Sequence, residues 1–193
     1  MNEKVRARID SLKPLLKDTV PGVRIAAAQA IEKLEGFSST EEILQALKTG
    51  DIGTRVASIY ALGEIGGEAV LPPLIYCAGR QEADIRSAAV AVLGRLALPE
   101  AMPVLVERLD DPSSAVQARA ISALSNYHAS REVLQKLRVF INASDGALEA
   151  EAALTLAKLK DIASLDQICV LLSSPHASTR QAAATALSLI PLQ

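Results

Sequence analysis

One periodicity constrains this chain more than any other feature. Arg24, Arg55, Arg86, Gln117, Glu149 and Arg180 occupy one recurring position, separated by 31, 31, 31, 32 and 31 residues. Three residues after each comes a small side chain (Ala27, Ser58, Ala89, Ala120, Ala152, Ala183), and seven after each a large apolar one (Ile31, Leu62, Leu93, Leu124, Leu156, Leu187). Offsets of three and seven fall on one face of a helix. A second series, Leu12, Ile43, Leu74, Leu105, Leu137 and Ile168, keeps the same spacing upstream, so each copy is a helix, a turn and a second helix. The stretch PVLVERLDDPSSAVQARAISAL, Pro103 to Leu124, shows one copy whole. An apolar helix closes at Leu109, Asp110-Asp111-Pro112 turns the chain, and a second helix carries Val116, Ala120, Ala123 and Leu124.

A hairpin of this size cannot bury its apolar face alone, and side-by-side stacking makes one continuous core. The expectation is therefore an all-α chain, a right-handed α-α superhelix of six two-helix repeats with a period of 31 residues. It forms a single domain over 1–193, with repeats at about 1–36, 37–67, 68–98, 99–129, 130–160 and 161–193. The single step of 32 is placed as one extra residue in the Asn126 to Ser130 connection, where it lengthens a loop without turning a buried face outward. Glu3 to Lys17 reads as a charged outer helix suited to an end unit. Gly36 is expected to end the first inner helix, with the second hairpin starting at Thr40, and Gly66-Gly67 to end the second. At the other end, Ile190-Pro191-Leu192-Gln193 follows the last helix. Leu172, Ala183, Leu187 and Ile190 are then expected to leave part of that face open, for end-to-end self-association or another chain.

Composition narrows the function. Aromatic residues are 3% of the chain and Trp is absent while half of it is apolar, so the core must be Ala, Leu, Ile and Val at close helix spacing. The formal charge of −2 lacks the basic excess of a protein that neutralises many phosphates, which disfavours nucleic acid. Cys77 and Cys169 are isolated, giving neither a disulfide framework nor a metal pair, and a reducing, cytoplasmic setting fits. The opening MNEKVRARIDSL has no continuous apolar run, and no segment reaches membrane-spanning length. His128 and His176 fall in turns, Cys77 and Cys169 within outer helices without a neighbouring histidine. The cluster Gly63-Glu64-Ile65-Gly66-Gly67 lies at a helix end rather than between strand and helix, so it is punctuation and no phosphate loop. Gly94 recurs at the Gly63 position, as close helix approach requires. No catalytic residue, cofactor or metal ligand is expected.

The solvent side of each inner helix, at offsets one, five and eight, is mostly small or polar. Ile25, Val56, Tyr60 and Leu154 are its large apolar members. Shielding by neighbouring inner helices and a shallow groove for a partner helix or peptide are both open readings. Val70, Pro73 and Tyr76 form an outer-helix face with almost no charge, a second candidate patch.

The segments LDDPSSAVQARAISAL, EADIRSAAVAVLGRL and VPGVRIAAAQAIEKL resemble the HEAT repeat, in particular the short HEAT-like repeats first associated with phycobilisome lyases. The resemblance covers essentially the whole chain. It implies a ladder in which a turn acid and a helix basic residue pair between units, giving Arg24, Arg55, Arg86 and Arg180, with Asp18 and Asp111, structural roles. The ladder departs from the pattern at Gln117 and Glu149. HEAT-like iron hydroxylases use His-Glu pairs, whereas Ala129 and Ala177 follow the histidines here. The resulting expectation is a non-enzymatic scaffold or adaptor that binds another protein or peptide. The alternatives are a bilin-lyase-like or chaperone subunit acting with a partner chain, and a HEAT-like nucleic-acid binder, which the missing basic face argues against.

Overall fold

A computed structural model describes residues 3–191, except the side chains of Phe37 and Ser38; Leu192 and Gln193, named above at the chain end, lie outside the described residues. Every regular element among them is helical. The helices are α1 (Glu3–Leu12), α2 (Pro21–Thr49), α3 (Ile52–Ile65), α4 (Leu71–Ala78), α5 (Ala83–Leu96), α6 (Met102–Glu107), α7 (Ser114–Leu124), α8 (Arg131–Val139), α9 (Gly146–Lys158), α10 (Leu165–Val170) and α11 (Ala177–Leu189). Contacts cluster into two compact blocks, Met1–Ile65 and Gly66–Gln193, where the sequence suggested one uninterrupted array.

In the second block the hairpins are regular: α4 packs on α5, α6 on α7, α8 on α9 and α10 on α11, and the inner helices α5, α7, α9 and α11 pack in succession. The outer helices are short because 3-10 turns frame them. Glu68–Val70, Pro99–Ala101 and Ile162–Ser164 lead in, and Arg108–Asp110, Phe140–Asn142 and Leu171–Ser173 lead out. Pro72, Pro73 and Pro103 occupy the first turns of α4 and α6, where a missing N–H costs no helical bond. The connection between α7 and α8, 125–130, is long enough to hold the extra residue, and Ser130 caps α8 by accepting the Val133 N–H. Leu93, Leu124 and Leu156, with Leu74, Leu105, Leu137 and Ile168, are fully buried in this block, and so are Ala89, Ala120, Ala152 and Ala183 between them. The recurring large and small positions therefore make one apolar seam.

The first block departs from expectation. Gly36 does not end a helix: α2 runs unbroken for 29 residues through it and through Thr40. One glycine in a helix interior costs only about 1 kcal/mol relative to alanine, and no proline follows it. The Thr40 hydroxyl, expected near a helix start, instead donates back to the Gly36 carbonyl at 2.9 Å. That is the bond a helix-interior threonine makes.

Candidate functional site

The recurring arginine closes the turn of its own hairpin. Arg24 Nη1 donates to the carbonyls of Asp18 and Thr19 at 2.7 and 3.1 Å, and Arg86 Nη1 to those of Arg80 and Gln81 at 2.9 and 2.6 Å. Arg180 Nη1 does the same to Ser174 and Pro175 at 2.7 and 3.1 Å. In all three the acceptors stand six and five residues upstream, so one planar cation satisfies two carbonyls that a turn would leave unpaired. Arg55 is half-buried on α3.

Arg86 also reaches the next hairpin. Its Nε and Nη2 donate to Asp111 Oδ2 and Oδ1, both at 2.8 Å, in a buried bidentate pair. Asp111 further accepts the Ser113 N–H at 2.9 Å and lies 3.5 Å from Arg108 Nη1. Burial pushes the Asp111 carboxyl up, but the Arg86 and Ser113 hydrogen bonds and the charges of Arg86 and Arg108 outweigh it and hold it below the usual carboxylate range. The Arg86 guanidinium is correspondingly held above its ordinary value, mainly by its hydrogen bonds to Asp111. Asp18 makes a local contact, accepting the Val20 N–H at 2.8 Å.

Beyond this rung the chemistry changes. Gln117 turns back on its own hairpin, donating to the Leu109 carbonyl at 3.1 Å. Glu149, at the arginine position, accepts from Ser174 Oγ at 3.4 Å and Thr179 Oγ1 at 3.1 Å of the following hairpin. The rung persists there with donor and acceptor exchanged. A further bidentate pair, Arg138 with Asp161 at 2.7 and 2.6 Å, ties α8 to the turn after α9, and the sequence reading missed it because neither residue occupies a recurring position.

Close packing joins the inner helices. A Cβ on Gly94 would lie 2.4 Å from the Ala123 Cβ, so α5 and α7 meet almost backbone to backbone. Around this contact Asn126 Nδ2 donates to the Gly94 carbonyl and the buried Tyr127 hydroxyl to that of Leu93, each at 2.9 Å. Thr155 Oγ1 donates to the Ile121 carbonyl at 3.1 Å and Thr179 Oγ1 to that of Gly146 at 3.0 Å, repeating the stitch at the next two seams. Burial, with a smaller contribution from the Glu100 charge, pushes the Tyr127 phenol up to about 12.

The inner faces differ between the blocks. On α2 Ile25 is 59% exposed, and on α3 Tyr60 is 45% exposed with Val56 half-buried one turn away. In the second block Leu154 is half-buried. There a groove of about 610 Å³ runs between α5 and α7, floored by Ala91, Ser122 and Ala123 and flanked by Arg95 and Arg119. Ala91 and Ser122 were visible in the sequence as small inner-face residues. The flanking arginines were not, because they sit outside the offsets used to define that face.

The outer patch needs correction. Val70 is buried, because it precedes Leu74 by one helical turn and shares its inward face. Pro73 is half-buried and Tyr76 exposed, and Arg80 lies over the Tyr76 ring, 5.3 Å from its centroid, while donating to its hydroxyl at 2.8 Å. The patch thus carries a cation. Cys77 is buried, whereas Cys169 is exposed. His128 and His176 are exposed. On the last hairpin Leu172 is exposed and Leu187 half-buried, while Ala183 and Ile190 are covered. No helix among the described residues is long and apolar enough to cross a membrane.

A family profile described as HEAT repeats matches residues 9–90, 40–125 and 71–141. The chain belongs to the HEAT-repeat family. No curated protein matches it in sequence. Among solved structures, this HEAT-repeat chain is similar to the complex of CpcE and CpcF of phycocyanin lyase from Nostoc sp. PCC7120, with TM-score 0.64 and 17% identity over 78% of this chain and 99% of that one. It is similar to YibA of E. coli, with TM-score 0.66 and 20% identity over 97% of this chain and 70% of that one. A designed armadillo repeat protein in complex with the peptide (KR)4 aligns with TM-score 0.58 and 18% identity, covering 95% and 99% of the two chains. At these identities the likeness is one of fold, a HEAT/armadillo-type helical solenoid.

Proposed function

We propose that this HEAT-repeat protein is a non-enzymatic scaffold that binds another protein through its inner helix faces. The observation that carries the reading is the groove between α5 and α7. Its floor is small enough to admit a peptide backbone or a helix ridge, and Arg95 and Arg119 flank it with donors suited to a carboxylate. Leu154, in the same block, and Tyr60 with Val56, in the other, add apolar area to inner faces that a partner can cover. The Tyr76 patch is a second, smaller surface. The designed armadillo protein above binds a basic peptide; the flanking arginines here favour an acidic one.

The test is affinity capture from the native host with wild-type protein beside Arg119→Glu and Leu154→Ala variants of unchanged melting temperature. A partner retained by the wild type and lost from both variants supports the reading. Equal retention by all three removes it. A change of absorbance on mixing with a bilin would favour the lyase-like alternative instead.

A further inference from the structure

The unbroken α2 leaves two matching faces in the first block apart. Its N-terminal half, with α1, is one hairpin of the repeat; its C-terminal half, with α3, is the next. At about 1.5 Å per residue the 14-residue α3 reaches back along α2 only to about residue 36, so it does not run beside the first hairpin.

The second block shows how successive hairpins meet. Ile121 receives Thr155, and Gly146 receives Thr179. Moved onto the first two hairpins by the recurring positions, these contacts become Ala28 against Ala61 and Pro21 against Thr54. Neither meeting is made. Ala28 is exposed, whereas Val90, Ile121 and Ala153 at the same position are fully buried. Thr54 is exposed, whereas Val116 and Thr179 are fully buried. Thr54, Ala57 and Ala61 instead line an open groove of about 360 Å³ with Ile43 and Ala46.

We infer that a second copy of this chain fills that groove, the first hairpin of each copy stacking on the second hairpin of the other. The repeat itself identifies the occupant, because in the hairpins α6–α7, α8–α9 and α10–α11 the surface that covers this groove's counterpart is the preceding hairpin. Covering it from the same chain requires breaking α2 near Gly36 and losing the backbone bonds that span the break. Reciprocal exchange joins both faces in two copies and keeps α2 whole, as in domain swapping. This inference is independent of the scaffold reading.

Cysteines at the facing positions test it. Ala28→Cys and Ala61→Cys are combined in a Cys169→Ser background, oxidised, and run on a non-reducing gel beside sedimentation of the wild-type chain over a wide concentration range. The expected result is a disulfide-linked dimer from the double variant and a concentration-dependent dimer from the wild type. If the double variant fails to fold, mixing the two single-cysteine chains must give a disulfide-linked heterodimer. A monomer with an internal disulfide would show that α2 breaks and the hairpin folds back. No disulfide, with or without a dimer formed through another face, would equally overturn the inference.

Discussion

Gly94→Ala separates close helix packing from helix propensity, because the two predict opposite signs. In an unconstrained helix interior the change stabilises by about 1 kcal/mol. Here the new Cβ would sit 2.4 Å from the Ala123 Cβ and 2.8 Å from its Cα, against the roughly 3.5–4.0 Å at which carbons pack. The helices α5 and α7 must therefore separate by about 1 Å or more. Overpacking of this kind costs about 1–3 kcal/mol. The separation also stretches the bonds from Asn126 to the Gly94 carbonyl and from Tyr127 to the Leu93 carbonyl, each contributing about 0.5–1.5 kcal/mol. With the propensity gain subtracted, the net loss is about 1–5 kcal/mol. Urea unfolding followed by circular dichroism at 222 nm measures it. Gly36→Ala is the control, since nothing lies within 4 Å of the added Cβ on α2, and it should stabilise by about 0.5–1 kcal/mol. An unchanged or raised midpoint for Gly94→Ala would refute the claim that the glycine is there for the neighbouring helix.

Leu93→Ala, at a fully buried position, should cost about 2–5 kcal/mol in the same assay. Asp111→Asn should destabilise at pH 7 and flatten the acid limb of the stability profile. The folded carboxyl titrates below its unfolded value near 3.9, so its stabilisation is present above that pH and lost as pH falls through the folded value. A wild-type acid limb left unchanged by the substitution would count against the buried pair. Tyr127→Phe should cost about 0.5–1.5 kcal/mol, the net contribution of one hydrogen bond, because the Leu93 carbonyl keeps the Ala97 N–H as a donor. The raised phenol gives the opposite pH sign: stabilisation is complete below about pH 10 and is lost as pH climbs through about 12, which phenolate absorbance can follow.

The residues that recur at fixed spacing are those whose environment repeats, and their burial in the second block follows the sequence closely. Leu93, Leu124 and Leu156 are equivalent because each meets the same neighbours one hairpin on. Gly94 was legible for the same reason. Helix termini were less so. The Gly36 to Thr40 stretch has the composition of a turn, yet glycine, serine and threonine only weakly oppose a helix, and tertiary context decided for continuity. Val70 was misplaced because the patch was grouped by its lack of charge, whereas its spacing of four from the buried Leu74 turns it inward. The exchanged rung at Glu149 did leave a trace: where the arginine position becomes acidic, the following turn carries Ser174 in place of an acid. Arg138 with Asp161 left none, since a pair used at a single seam has no periodic signal.

The distribution of polar rungs along the second block also bears on how such a chain can be lengthened. Arg86 and Asp111 belong to adjacent hairpins, as do Glu149 and Ser174, and Arg138 and Asp161 span the same later seam. Separating any of these partners strands a buried or half-buried polar group. Gln117 spends its amide inside its own hairpin, so the seam after α7 is crossed by the neutral Thr155 bond and by one exposed pair, Lys136 with Asp110 at 3.8 Å, without a buried charged rung. That seam also carries the longest loop in the block, 125–130. A duplicated hairpin spliced in there would separate only the exposed Asp110–Lys136 pair, which contributes little, whereas the same insertion one hairpin earlier or later would divide a buried or half-buried rung. Growth of the array by recombination should therefore be tolerated best between α7 and α8, a preference that a library of single-hairpin insertions would read out as the fraction of folded clones at each site.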